Sequence, residues 1–256
     1  MKKYIVFLCV IICLLGLVAC SAQPSDNTHR NDNLINLDEE AKKAYVDVLK
    51  RLYNEHLLLN TDGEGDFKIE DNNFSKISDN KFAICDVDLD GQEELIIQIT
   101  TSSTAGMIEI IYDYDNEAEV IRTQFTEWPA LIYYDNGIVM AKLSHNQGLG
   151  VDIENFWPYT IYQYEVKTDS YSAVGRVDAW NKAYRDEDFD GNPFPNDADK
   201  DGDGVVYYVD EDFDYRNDLP IDFAEYEKWL NAYIGDAKEV DIPYLQLTPD
   251  NIDKLK

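Results

Sequence analysis

The sequence predicts an α+β fold: an antiparallel β-meander with one helix before it and one after, and an acidic segment inserted late. Three patterns carry that prediction. Between Phe82 and Val177, short runs rich in Ile, Val, Tyr and Thr alternate with turn residues. A stretch of helical period precedes them, and a second one, marked at both ends, follows.

The first helix reads from Asn36 to Leu59. Ala41, Ala44, Tyr45, Val48, Leu52 and Tyr53 recur three and four apart, and Asn36 with Glu39 makes a capping box. Thr61 to Asn80 is polar, a loop in which Phe67 and Ile69 form a short edge strand. Strands are expected at 82–85, 95–100, 107–114, 118–125, 130–134, 138–143, 159–166 and 171–177, with turns at Asp115-Asn116, Asp135-Asn136-Gly137 and Lys167 to Ser170. Links this short join antiparallel neighbours, because parallel strands need a crossover of about a dozen residues or more. Ile111-Tyr112-Asp113-Tyr114, Ile132-Tyr133-Tyr134 and Ile161-Tyr162-Gln163-Tyr164 echo one another, through either shared hairpin chemistry or a structural repeat.

Asp178 to Tyr184 reads as a short helix and Val205 to Val209 as a further strand. The last helix runs from Phe223 to Ile234, with Asp222 as N-cap, Glu225 at the capping-box position and Gly235 as its stop. The tail from Val240 to Leu245 is expected to lie extended along the domain.

The N-terminus has a different character. Lys2 and Lys3 precede an apolar stretch from Ile5 to Val18, which ends in Leu17-Val18-Ala19-Cys20-Ser21. The stretch is shorter than the roughly 20 residues a spanning helix needs, and it has the parts of a secretory signal. It resembles the signal and lipobox of bacterial lipoproteins. That resemblance implies removal of residues 1–19, lipidation of the Cys20 thiol with palmitate-type chains, and anchoring at the extracellular face of the cell membrane. Residues 20–35 are then a polar tether, and 36–256 a single domain.

Against 51 Asp and Glu stand 22 Lys and Arg, a formal charge of −29. Loss of Lys2 and Lys3 with the signal makes it −31. Such a surface repels phosphate backbones, so nucleic acid is not an expected partner. Cys9 and Cys13 lie in the signal and Cys20 is the lipid site. Cys85 alone remains in the domain, and no intramolecular disulfide can form.

Acid is concentrated in three loops. In the first, at 86–97, Asp86, Asp88, Asp90 and Glu94 occupy positions 1, 3, 5 and 9, Gly91 stands at 6, and Gln92 offers its carbonyl at 7. Alternate carboxylates converge inside a tight turn that glycine permits, which suits a hard cation. An EF-hand would place a bidentate Glu at position 12, where Ile97 stands. The pattern resembles instead the calcium loops of integrin-type propeller repeats. The second and third loops run together over 186–208. Asp186, Asp188, Asp190 and Asn192 open the second, which Asp197 closes. Asp197, Asp199, Asp201 and Asp203 then form the third, with Asp210 or Asp212 expected to complete it. This tandem resembles the calcium repeats of thrombospondins without their cysteines. For the first loop the competing reading is a solvated acidic turn, and for the second and third together a disordered acidic linker.

No Gly-x-Ser-x-Gly, His-Glu-x-x-His, Walker loop or Cys-x-x-Cys occurs, and the domain's histidines are His56 and His145, with His29 in the tether. Ser144 to Gly148, with Trp157 and Pro158 soon after, is either a ligand-facing loop or a plain hairpin loop. Taken whole, the chain resembles exported lipoproteins of Gram-positive bacteria, which implies a surface location and names no activity. Two functions fit: a calcium-binding, lipid-anchored binding or scaffold protein with a glycan or peptide ligand, or a glycan-directed surface hydrolase using paired carboxylates. The residues favour the first, with no catalytic constellation evident.

Overall fold

The computed structural model describes residues 38–63, 65–70, 75–143, 156–214 and 219–255. The signal, Cys20, the tether, Asn36 and the Ser144 to Gly148 segment lie outside them. Helix α1 (Glu39–Glu55) is capped by Asp38, whose Oδ1 accepts from the Glu40 N–H at 2.8 Å. It stops earlier than the expected Leu59. His56 takes a left-handed conformation (φ 58°) and its N–H closes on the Leu52 carbonyl, so Leu57–Leu58 becomes strand β1, paired with β2 (Phe67–Lys68).

The strands form two sheets, where the sequence reading foresaw one meander. The first contains β3 (Lys81–Cys85), β4 (Glu94–Ile99), β5 (Ile108–Asp115) and β6 (Val120–Glu127). The second contains β7 (Leu131–Tyr133), β8 (Ile138–Lys142), β9 (Tyr159–Glu165), β10 (Ser170–Asn181) and β11 (Val205–Asp210). Every neighbouring pair is antiparallel. The break between the sheets falls at Trp128-Pro129-Ala130, where proline lacks the N–H that would continue a ladder.

Alternation along the strands decides the layering. Phe82, Ile97 and Ile110 stand in one register row and join the α1 core with Tyr45, Leu49 and Leu52. Their neighbours Ala83, Ile96 and Ile111 point the other way and meet Tyr133 and Val139 of the second sheet. The far face of that sheet, with Ile138, Ile161, Val177 and Ala179, is covered by α2 (Phe223–Tyr233) through Tyr226 and Trp229. The order is helix, sheet, sheet, helix. Strands buried on both faces explain why these segments read as apolar runs and not as clean alternation.

The two meanders also repeat one another. Ile111 and Ile161, Tyr112 and Tyr162, Tyr114 and Tyr164 stand 50 positions apart at matching places in the hairpins β5–β6 and β9–β10. Each hairpin turns over four residues that end in a left-handed one, Glu119 (φ 54°) or Asp169 (φ 49°). Each then carries a bulge at the same place, Gln124 or Val174. Past its bulge the second hairpin has Gly175, where a Cβ would come within 2.5 Å of the Trp229 ring, so glycine is what lets α2 settle there.

Two further features follow from tertiary pairing. Asp178 to Asn181, expected in a helix, is strand: Arg176–Asn181 pair along their length with β11, and seven residues of local helical pattern do not outweigh six ladder pairings. The tail after α2 runs extended, as expected. Its Val240 N–H bonds Tyr133 of the second sheet, and β12 (Leu245–Gln246) adds to β3 of the first. It ends in α3 (Pro249–Asp253), whose Ile252 joins the α1 core.

Candidate metal centre

The first acidic loop connects β3 to β4. Its bend uses two left-handed residues, Leu89 (φ 69°) and Gly91 (φ 96°). Asp88 Oδ1 accepts from the Asp90 N–H at 3.0 Å, and Asp90 Oδ1 from the Gln92 N–H at 2.7 Å. These bonds hold the side chains inward, and oxygens of Asp86, Asp88 and Asp90 come within 4.8 Å of one another. The Gln92 side chain accepts from Asn116 Nδ2 at 2.6 Å through Oε1 and donates from Nε2 to Asp90 Oδ2 at 3.3 Å.

What distinguishes this loop is burial. Asp88 is 4 % exposed and Glu94 fully buried. Glu94 Oε2 accepts from the Val87 N–H across the loop at 2.8 Å, while Oε1 has no partner, nor has Asp86 Oδ1. Burial pushes the Glu94 carboxyl up to about 10, aided by the charges of Asp88, Asp90 and Asp86. Burial likewise lifts Asp88 to about 6, against the opposing bonds it accepts. Orphaned buried acceptors cost on the order of 1–3 kcal/mol each, more when charged. Either protons or a cation must occupy this place.

Four residues outside the loop, which sequence reasoning missed as site residues, belong to the same place. Gln124 Nε2 donates to Asp88 Oδ2 at 2.6 Å and to Asp169 Oδ1 at 2.7 Å. Tyr164 OH donates to the same Asp169 oxygen at 3.0 Å. Asp113 is buried beside Asp169 and held above the ordinary carboxylate range, by desolvation first and then by the Asp169 charge. Only the pairing of β5 with β6, and the meeting of the two sheets, brings them together. The one sequence signal was the tyrosine echo.

The third loop has the same local form in a different setting. Oxygens of Asp199, Asp201 and Asp203 also gather within 4.8 Å, with Gly202 (φ 76°) and Gly204 (φ 82°) at its bends. Here the carboxylates are partnered by backbone: Asp199 Oδ1 accepts from Gly202, Asp201 Oδ1 from Asp203, and Asp203 Oδ1 from Val205, at 2.9, 3.0 and 2.7 Å. The fourth acid is not Asp210 or Asp212, because β11 carries Asp210 about 17 Å from its start. The acid that stands beside the loop is Asp222, the buried N-cap of α2, which accepts from the Lys200 N–H at 3.2 Å; its charge, after burial and the charges of Asp201 and Asp199, helps to raise Asp203.

The second loop is a small exposed hairpin. Asp188 accepts from the Asp190 and Asn192 N–H groups at 2.9 and 2.7 Å and from Asn192 Nδ2 at 2.8 Å, and the Asn192 bonds lower its pKa. Phe194 pins the hairpin edge-on against Trp180, ring centres 5.3 Å apart. Among the described residues, Asp186, Asp188, Asp190 and Asp197 do not form a three-carboxylate cluster.

No helix among the described residues is long and apolar enough to cross a membrane. Comparison of the chain with protein-family models, with curated proteins and with solved structures found no match.

Proposed function

We propose that the chain is a calcium-ordered binding module, held at the outer face of the cell membrane by lipid on Cys20. The observation that carries the calcium part is Glu94. A fully buried carboxylate with one oxygen unpartnered, bonded across the loop to the Val87 N–H and close enough to Asp86, Asp88 and Asp90 for their charges to act on it, is costly without a cation and useful with one. The available donors are all oxygen, which suits calcium. Magnesium demands stricter octahedral geometry and gives up its waters reluctantly. The anchor rests on Leu17 to Ser21 alone.

Concave surface exists for a ligand. A groove of about 520 Å3 is lined by Leu59, Thr61, Asp62, Val120, Arg122 and Thr123, a place for a glycan or peptide with a polar group for Arg122. It holds one carboxylate, whereas glycoside hydrolysis needs two facing one cavity. Asp38, Glu93 and Asp113 do share a cavity, but one of about 110 Å3, well below the roughly 300 Å3 at which ligand pockets begin. The hydrolase alternative gains no support from either.

Thermal unfolding in chelator and in millimolar calcium, with magnesium as control, tests the reading. With free calcium at ten times Kd, the expected gain is about 1.4 kcal/mol, or roughly 3–6 °C for a domain of this size. An unfolding curve indifferent to calcium would overturn it. Transfer of a Cys20→Ala chain from membrane to soluble fraction tests the anchor.

A further inference from the structure

One sheet edge is left open. The second sheet ends in β7, whose Tyr133 carbonyl accepts from Val240 of the tail, and in β11, where Tyr207 and Ile221 exchange both backbone bonds at 2.9 Å. The first ends in β12, two residues long, and in β6, eight residues long. Among the described residues no backbone pairs with the outer side of β6. Thr61 touches that side at one point, its Oγ1 accepting from the Thr123 N–H at 3.0 Å. Alternate residues of an antiparallel strand turn their backbone groups to opposite sides, so this bond fixes which ones face out. Thr123 and Ile121 face out, while Val120 and Arg122 face Asp115 and Asp113 of β5. Such an unpaired row is a template for a further strand. The groove of about 520 Å3 lies at the same place, lined by Val120, Ile121, Arg122 and Thr123 together with Thr61 and Asp62. Its rim is acidic. Arg122 is already paired with Asp115, Asp62 is exposed, and Glu117 and Glu119 stand exposed in the turn that leads into β6.

We propose that the outer edge of β6 takes up a basic peptide as an added strand. Ile121 exchanges its N–H and C=O with the peptide backbone, and Thr123 accepts through its carbonyl. Leu59 and Ile121, both packed against the α1 core and half-buried, offer an apolar surface to every second side chain of the peptide. The side chains between them stay at the rim, where Lys or Arg meets the acidic field. A second copy of the chain does not suit this edge. It would bring its own Thr61 and Asp62 against those already there, and a like net charge of −29. The inference rests on the reading of the chain as a binding module and names its ligand class.

The probe is a synthetic heptapeptide of alternating Lys and Val, acetylated and amidated, titrated by fluorescence anisotropy against the full-length chain in detergent with calcium. Forms of it N-methylated at one position at a time give the informative readout. In an added strand only every second peptide N–H meets β6. Methylation is therefore expected to weaken binding about ten-fold or more at alternate positions and to change little at those between. An Ile121→Pro chain loses the outward N–H, keeps the β5 ladder and should bind about ten-fold more weakly, since proline is tolerated on an edge strand. A peptide of alternating Glu and Val should also bind more weakly. Should Ile121→Pro fail to fold, the methylation scan on the native chain decides. Losses without alternation along the scan, or no saturable binding up to about 1 mM peptide, overturn the proposal. A chain that binds no peptide but keeps its calcium-dependent rise in unfolding temperature loses this inference and retains the calcium reading. Peptide binding of native strength by Ile121→Pro overturns the β6 site and leaves the binding module standing.

Discussion

The first and third acidic loops have the same local form and opposite surroundings. In both, three alternate aspartates gather within 4.8 Å around a bend whose left-handed residues stand three and five positions after the first of them. In the third, exposed carboxylates are satisfied by the loop's own N–H groups. In the first, two sheets close over Asp88 and Glu94 and leave oxygens with no donor. The turn gathers the carboxylates, and burial makes them need a cation. A loop that water can reach forfeits little when empty.

Variants can break this contrast or sharpen it. The largest expected effect is that of Glu94→Gln, which should abolish the calcium-dependent rise in unfolding temperature while leaving the chain in chelator as stable as before or more so. Persistence of the full calcium response would place the ion elsewhere. The next concerns pH. Folded-state values for Glu94 and Asp88 are raised above their ordinary ones, so the folded chain holds these protons more tightly than the unfolded chain. In chelator, stability should be greatest below about pH 4 and fall as pH rises toward about 6 through Asp88 and on toward about 10 through Glu94. Calcium affinity should move oppositely, gaining up to about ten-fold per pH unit for each proton displaced. Calorimetric titration at pH 5.5 and 7.5 measures it, and equal affinities at both would contradict the burial argument.

Backbone strain gives a smaller contrast. Leu89 holds a left-handed conformation where the third loop has Gly202. Gly202→Leu should cost about 1 kcal/mol in denaturant unfolding, while Leu89→Gly should gain less than that, since glycine also frees the unfolded chain. The smallest effect belongs to Asp201→Asn, exposed and partnered by backbone, which should shift stability in chelator by less than about 0.5 kcal/mol. A loss of several kcal/mol there would show the third loop to be as dependent on its charges as the first.

Local signals in the sequence marked the elements well where local physics governed them. Asp222 and Glu225 cap α2, and Gly235 follows its end in a left-handed conformation. The hairpin turns at 116–119 and 166–169 lie where turn residues stand. Errors fell where a partner distant in sequence decided: Asp178–Asn181 became strand because β11 pairs with it, and the single meander became two sheets at Pro129.

The candidate site divides in the same way. Spacing alone determined that Asp86, Asp88, Asp90 and Glu94 would share a loop, because alternate side chains in a tight turn converge whatever surrounds them. Tertiary structure alone decided that Asp88 and Glu94 would be buried and that Asp113, Gln124 and Asp169 would join them. The bonds that join them span 36 positions of chain, from Asp88 to Gln124, and 45, from Gln124 to Asp169, and form only when two sheets fold and meet. Desolvation is a property of that meeting, and no periodicity in the sequence encodes it.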